Sequence, residues 1–238
     1  MRPDRRLIER GIPRFRRFVL VLALAFPGLF PNAPLSGQGM SGMLGLQAGP
    51  ITTGVHSEVS SILNTDWRTG MSAGVFAAFE PTPDLTVRAN LLFSRRGWGF
   101  RMYREGPGLI PGRALVQSVE ALMDVGLRVP WPGGPASARV YAGPVVGYRL
   151  TCTVKGSVLG VGFEEDCDDS TVGLETRSLD VGASVGAGID LHLQSITVLM
   201  DGRYTYGLRN LNRSPDGSQE LSSRAWSFTA GLGWPCRW

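Results

Sequence analysis

The chain has only three cysteines and two histidines in 238 residues, and its 24 basic residues are nearly all arginine. Three cysteines permit at most one disulfide within the chain. His56 and His192 are a thin basis for metal or acid–base chemistry, so no cofactor and no metal site is expected. Beyond residue 30 there is no apolar run long enough to cross a membrane as a helix. A true excess of basic charge is also missing. The formal net charge is +4, but Arg2, Arg5, Arg6, Arg10, Arg14, Arg16 and Arg17 all precede an apolar run from Phe18 to Phe30. Without residues 1–37 the chain carries 17 basic against 18 acidic residues. Nucleic acid is therefore not an expected partner.

What is present at the N-terminus reads as a signal peptide: a charged n-region, a short apolar h-region, and cleavage near Ser36-Gly37-Gln38. Arg16-Arg17-Phe18 has a twin-arginine look, but the ordinary export route is the expected one. No cysteine stands at the junction to take a lipid. The expected organisation is a signal peptide over 1–37 and one domain over 38–238.

That domain alternates. Its last stretch puts Trp226, Phe228, Ala230, Leu232, Trp234, Cys236 and Trp238 on one face, with Ser227, Thr229, Gly231 and Gly233 on the other. An apolar face opposite a small or polar one suits a strand between lipid and a filled interior. Similar period-two segments are predicted over residues 44–53, 70–80, 84–94, 114–129, 138–151, 178–190 and 195–206, which makes eight with the terminal one. In the second of them Phe76 interrupts the small-residue face. The connections at 81–84, 130–135 and 191–194 are short, and the others are long. Phe93, Trp98, Tyr148, Tyr204, Tyr206 and Trp226 fall at the long-loop end; Phe79, Trp131, Trp234 and Trp238 fall at the short-turn end. Two aromatic girdles, an even strand count and unequal loops predict an all-β fold. It is an eight-stranded antiparallel up-and-down transmembrane β-barrel in the cell outer membrane.

Several runs carry a family likeness. The strand at 70–80 is followed by Asp84-Leu-Thr-Val-Arg-Ala-Asn-Leu-Leu-Phe-Ser-Arg-Arg-Gly97; Val140-Tyr-Ala-Gly-Pro-Val-Val-Gly-Tyr148 and Arg203-Tyr-Thr-Tyr-Gly-Leu-Arg-Asn-Leu-Asn212 come later. Together they resemble the PorT-type outer-membrane β-barrel family from about Leu44 onward. Pro235 and Cys236 in the terminal strand and a longer acidic third loop depart from its pattern. The resemblance implies a small barrel without a defined catalytic activity, and one branch of the family is linked to protein secretion.

An eight-stranded barrel holds side chains rather than a wide channel. Arg88, Glu120, Asp124, Arg128, Asp180, Asp201 and Arg203 are therefore expected to face inward and neutralise one another. Gly182, Gly186, Gly188, Gly231 and Gly233 would make room for the long arginines. Cys152 and Cys167 bracket the third long loop and are candidates for a disulfide stapling it. The acidic run Glu164-Glu-Asp-Cys-Asp-Asp169 lacks the spacing of a dedicated calcium loop and reads as a solvated tip. Arg95, Arg96, Arg101, Arg104 and Arg113 make the second loop basic, able to grip lipopolysaccharide phosphates or to pair with the acidic loop.

His56-Ser57-Glu58 has the residue types of a lipid-cleaving triad, but neighbours on a strand point to opposite faces. His192 has no evident partner. No enzyme is expected. The function read from the architecture is structural or interactive, with the loops as binding surface, in an envelope or secretion-accessory role. Two other readings stand beside it: a secreted lipocalin-like barrel holding an apolar ligand, and a barrel-embedded lipid-modifying enzyme. Expected partners are outer-membrane lipid, the barrel-assembly machinery and a protein outside or in the periplasm, with the chain itself a monomer. Trp226, Phe228, Trp234 and Trp238 are expected to form the terminal assembly strand.

Overall fold

A computed structural model of the chain describes residues 41–57, 62–104, 108–158, 161–167, 178–208 and 221–237. The expected signal peptide, Glu58 and Trp238 lie outside the described residues. Nine strands are seen: β1 (Ser41–Ser57), β2 (Ile62–Thr82), β3 (Leu85–Arg104), β4 (Gly108–Pro130), β5 (Ala136–Val158), β6 (Val161–Asp166), β7 (Leu179–His192), β8 (Thr197–Gly207) and β9 (Leu221–Arg237).

All pairs are antiparallel. The order β4-β3-β2-β1-β9-β8-β7-β5 closes on itself through β4–β5, leaving an eight-stranded ring with β6 attached to β5 alone. Closure is required here because an open edge in lipid would leave backbone groups unpaired. Alternation sets the faces. Leu44, Val75, Leu91, Val125, Val140, Val185, Met200 and Leu232 are exposed, whereas Arg88, Asn90, Asp124, Arg139 and Asp201 are buried. A protein with its apolar side chains outside and its charges inside is built for an apolar solvent. The lipocalin-like alternative fails on this point, since it needs the apolar face to line the cavity.

Short turns close one end of the ring. Gly133, at φ 73°, supplies the left-handed residue of the β4–β5 turn. The Trp131 N–H donates to the Ala136 carbonyl across the same turn. At the other end the strands run past the predicted segments. The expected long loops before β2 and after β3 are largely strand: β3 and β4 stay paired from Leu85↔Leu127 to Arg104↔Gly108. Arg95, Arg101, Arg104 and Arg113 therefore sit on a β extension, not in a loop. Arginine and glycine interrupt the apolar alternation after Ser94, but the backbone ladder does not need that alternation once it leaves the lipid. The third loop likewise contains β6, paired with Thr153–Val158 of β5.

The interior departs from a simple polar filling. Phe76 points inward and packs with Ala78, Leu199 and Met43. It has room because its register partner Gly45, and Gly233 next to that, carry no side chains. Trp98, assigned to the outer girdle from sequence, is also turned inward, against Ala114, Val116, Cys152 and Val154. Its parity follows Ser94 and Arg96 along β3, which overrides the aromatic preference for the interface.

Candidate functional site: the charged interior and its stapled mouth

Inward parity on β3, β4, β5, β7 and β8 brings three arginines and three aspartates together beneath the middle of the barrel. Arg88 Nη1 donates to Asp201 Oδ2 at 3.0 Å, and its Nε lies 3.8 Å from Asp124. Arg203 Nη2 donates to Asp124 Oδ2 at 2.7 Å. Arg139 bridges Asp201, at 2.8 Å, and Asp190. Asn90 Nδ2 donates to Asp124 Oδ2 at 2.8 Å, and Asn90 Oδ1 accepts from Gln47 Nε2 at 3.0 Å. The ring of Tyr141 stands among the cations, with the guanidiniums of Arg88, Arg139 and Arg203 at 5.3, 5.6 and 5.1 Å from its centroid. Equal numbers of opposite charges make the cluster neutral, as burial at this depth demands.

The seven inward charges expected from sequence do not form one network. Arg88, Asp124, Asp201 and Arg203 meet. Arg128 instead pairs with Glu80 near the short turns. Glu120 pairs with Arg96 at 3.1 Å and accepts from Ser118 at 3.2 Å. Asp180 accepts from Ser223 Oγ at 2.8 Å. Glu120, Arg96 and Asp180 converge over Gly147 as a second, outer polar level. Arg96 thus belongs to the interior, not to a basic loop. Arg139, Asp190 and Tyr141 join the cluster beyond the residues expected, and the alternation along β5 and β7 gives all three inward parity. The glycine expectation also changes: the space at Gly186 is taken by the Tyr141 ring, at Gly188 by the Asp201 carboxylate, and at Gly233 by Met43 and Phe76.

Leu92, Leu122 and Val145 separate the two polar levels as an apolar layer. Leu92 stands between Asn90 and Arg96 along β3, and Leu122 between Asp124 and Glu120 along β4, so this layer is legible in the sequence. Inward residues of this barrel are thus not all polar or small. A second apolar layer closes the mouth, formed by Ala114, Val116, Cys152, Val154 and Cys167, with Trp98 and Phe163 packed on it. Cys152 and Cys167 are joined as a disulfide, which ties the end of β6 to β5.

The backbone of β5 decides which side chains line that mouth. Arg149 faces Ser118 and Thr151 faces Gln117, so Leu150 is an extra residue, a β-bulge. Before the bulge the odd residues of β5 point inward; after it, Cys152 and Val154 do, while Thr151 is exposed and Thr153 and Lys155 are half-buried.

At the short-turn end, His192 does have partners. Its Nε2 lies 3.0 Å from Ser137 Oγ and its Nδ1 lies 3.3 Å from Thr197 Oγ1. The ring nitrogen away from Ser137 meets a hydroxyl rather than a carboxylate, and Ser137 is 2% exposed. This is a structural tie across β5, β7 and β8, without the orienting acid or the access a nucleophile needs. The side chains of His56 and Ser57 are outside the described residues, as is Glu58. Among the described residues no group of His, Cys, Asp and Glu is placed to hold a metal, and no helix is long and apolar enough to cross a membrane.

Trp226, Phe228 and Trp234 face outward on β9, and Trp226 packs on Tyr204 at 4.8 Å between ring centroids. Cys236 is a free thiol.

Residues 39–213 match the family model described as the outer membrane protein beta-barrel domain. The chain belongs to that family. Its outer-membrane location follows from membership together with the outward apolar belt. No curated protein matches the sequence. Among solved structures, it is similar to the outer membrane protein OprG from Pseudomonas aeruginosa at 14% identity, covering 83% of this chain and 97% of that one, with a TM-score of 0.47. It is similar to outer membrane protein W of E. coli at 18% identity, covering 86% and 100%, TM-score 0.39. Similarity to Ail, the attachment invasion locus protein of Yersinia pestis, is at 16% identity over 81% and 99%, TM-score 0.41.

Proposed function

We propose that this barrel is a closed membrane anchor that works through the rigid β extension it holds above the outer leaflet. The observation that carries the reading is the filled interior: a neutral six-charge cluster, then Leu92–Leu122–Val145, then a second polar level, then the apolar mouth. An ion crossing it would have to shed water at two apolar layers. The interaction surface is accordingly the outside of the extension of β3 to β6. In barrels of this class the short turns face the periplasm, which puts the stapled mouth outside the cell.

The motifs around Gly97, Val140–Tyr148 and Arg203–Asn212 support a finer reading, that the chain is of the PorT type and serves secretion or envelope integrity. The same reading has residues 1–37 removed on export, leaving 38–238 as the mature domain. Planar-bilayer recording of the purified barrel tests the closed state, and no unitary current steps are expected. Regular steps would show an open lumen and move the function to transport. In a deletion strain, loss of secreted proteins from the medium with unchanged detergent resistance favours the secretion role; the reverse pattern favours the envelope role.

A further inference from the structure

We infer that the outer wall of β3–β4–β5 carries a binding cleft for the phosphate of an outer-leaflet lipid headgroup. The cleft, of about 110 Å³, is lined by Arg95, Gln117, Thr151, Thr153, Lys155 and Glu164, with Leu115 as its apolar side. It opens sideways from the barrel and not into the lumen, since these residues have the outward parity of their strands.

Its height follows from register. Phe93, Val119 and Tyr148 form one outward row across the three strands, and Arg95, Gln117 and Thr151 form the next row toward the mouth. Two residues along a strand advance it by roughly 7 Å. Phe93 and Leu91, below Arg95 on the same face, are exposed apolar side chains of the lipid belt. One step beyond an aromatic girdle is the level of the headgroups, so the chemistry offered to the cleft there is phosphate at high local concentration.

The donors suit that chemistry. Arg95 is exposed, and among the described residues no carboxylate pairs with it. Lys155 pairs with Glu164, the one carboxylate of the lining, at 2.8 Å, so that each largely answers the other's charge. Arg95 thus supplies the cation, in a fork that fits phosphate oxygens, and the Thr151 and Thr153 hydroxyls and the Gln117 amide supply neutral donors. The bulge at Leu150 builds the arrangement. Without that extra residue, Thr151, Thr153 and Lys155 would keep inward parity and the outer wall would carry Cys152 and Val154 instead. One backbone irregularity therefore seals the mouth within and places the polar side chains without.

The test uses the barrel purified from outer membranes and reconstituted in phosphatidylcholine bilayers with trace spin-labelled phosphatidic acid or spin-labelled phosphatidylcholine. The motionally restricted fraction reads the lipid bound to the wall. Phosphatidic acid is expected to be preferred. Arg95→Gln is expected to reduce the preference about fivefold, the factor of one interfacial cation, and Thr151→Val to reduce it to a smaller extent. Arg101→Gln removes the same charge from β3 outside the cleft, and is expected to leave the preference unchanged. Gel mobility of unboiled samples confirms that each variant is folded. Absence of preference in the wild type, an Arg95→Gln variant that matches it, or equal losses from Arg95→Gln and Arg101→Gln would each overturn the site. Displacement of the labelled lipid by millimolar inorganic phosphate would also overturn it, by showing a free-anion site in place of a lipid one.

Discussion

The phenol ring of Tyr141 lies against Gly186, its register partner on β7: a Cβ added to that glycine would come within 2.5 Å of the ring's Cζ and Oη. The missing side chain lets the ring lie along the wall, where three guanidiniums gather on it. Gly186→Val is expected to destabilise the barrel by about 1–3 kcal/mol or to block its assembly. Urea unfolding in detergent, followed by tryptophan emission, reads the loss. Tyr141→Ala in the same chain should restore only part of it, because the Gly202 carbonyl oxygen lies 2.6 Å from the same Cβ position.

Asp201 holds two arginines, Arg88 and Arg139, at a site with almost no solvent. Asp201→Ala leaves both guanidiniums short of countercharge, and a loss of about 3–5 kcal/mol is expected. Glu80→Ala, at the more accessible Arg128 pair, is expected to lose about 1 kcal/mol or less. Equal losses from the two variants, measured by the same unfolding experiment, would show that the central cluster is not desolvated.

The disulfide closes a loop of sequence separation 15 and anchors β6. A closed loop of that length corresponds to about 3 kcal/mol in the chain-entropy account. Cys152→Ser with Cys167→Ser should free the β6 hairpin to protease digestion while the ring of eight strands keeps its heat-dependent gel mobility. Cleavage sites mapped by mass spectrometry should cluster after Val158. Cleavage within the short turns instead would mean that the staple supports the whole barrel.

Val185 is exposed midway along β7, opposite Ala142 and Tyr204. Val185→Arg should cost about 2–4 kcal/mol when unfolding is measured from bilayers, the range for an arginine at mid-membrane. A barrel living in water would tolerate the change, so an unaltered midpoint would contradict the outward lipid face.

Mass measurement of the mature protein isolated from outer membranes gives a separate check on export. A mass matching residues 38–238 is expected, and an intact N-terminus would remove the signal-peptide reading.

The sequence by itself determined the class of fold. Period-two alternation with the charges on one face and the large apolar residues on the other leaves a closed barrel as the only way to pair every backbone group in lipid. The eight strands of the ring and the three short turns were legible for the same reason, but not the added β6. Residues such as Arg88, Asp124 and Arg203 could be placed inside because face is a local property, fixed by counting from a neighbour. Tertiary structure alone decided what those side chains meet. Arg128 and Asp180 share the inward face with Arg88, yet strand tilt and register set them at other heights, with other partners. Register also decided that Phe76 and Tyr141 fall opposite glycines and can lie inside. The unopposed Leu150 is the sharpest case. Nothing in the run Gly147–Thr153 marks one residue as extra, because a bulge is a property of two paired strands; only pairing with Gln117 and Ser118 reveals it, and the parity of every residue beyond it on β5 depends on it.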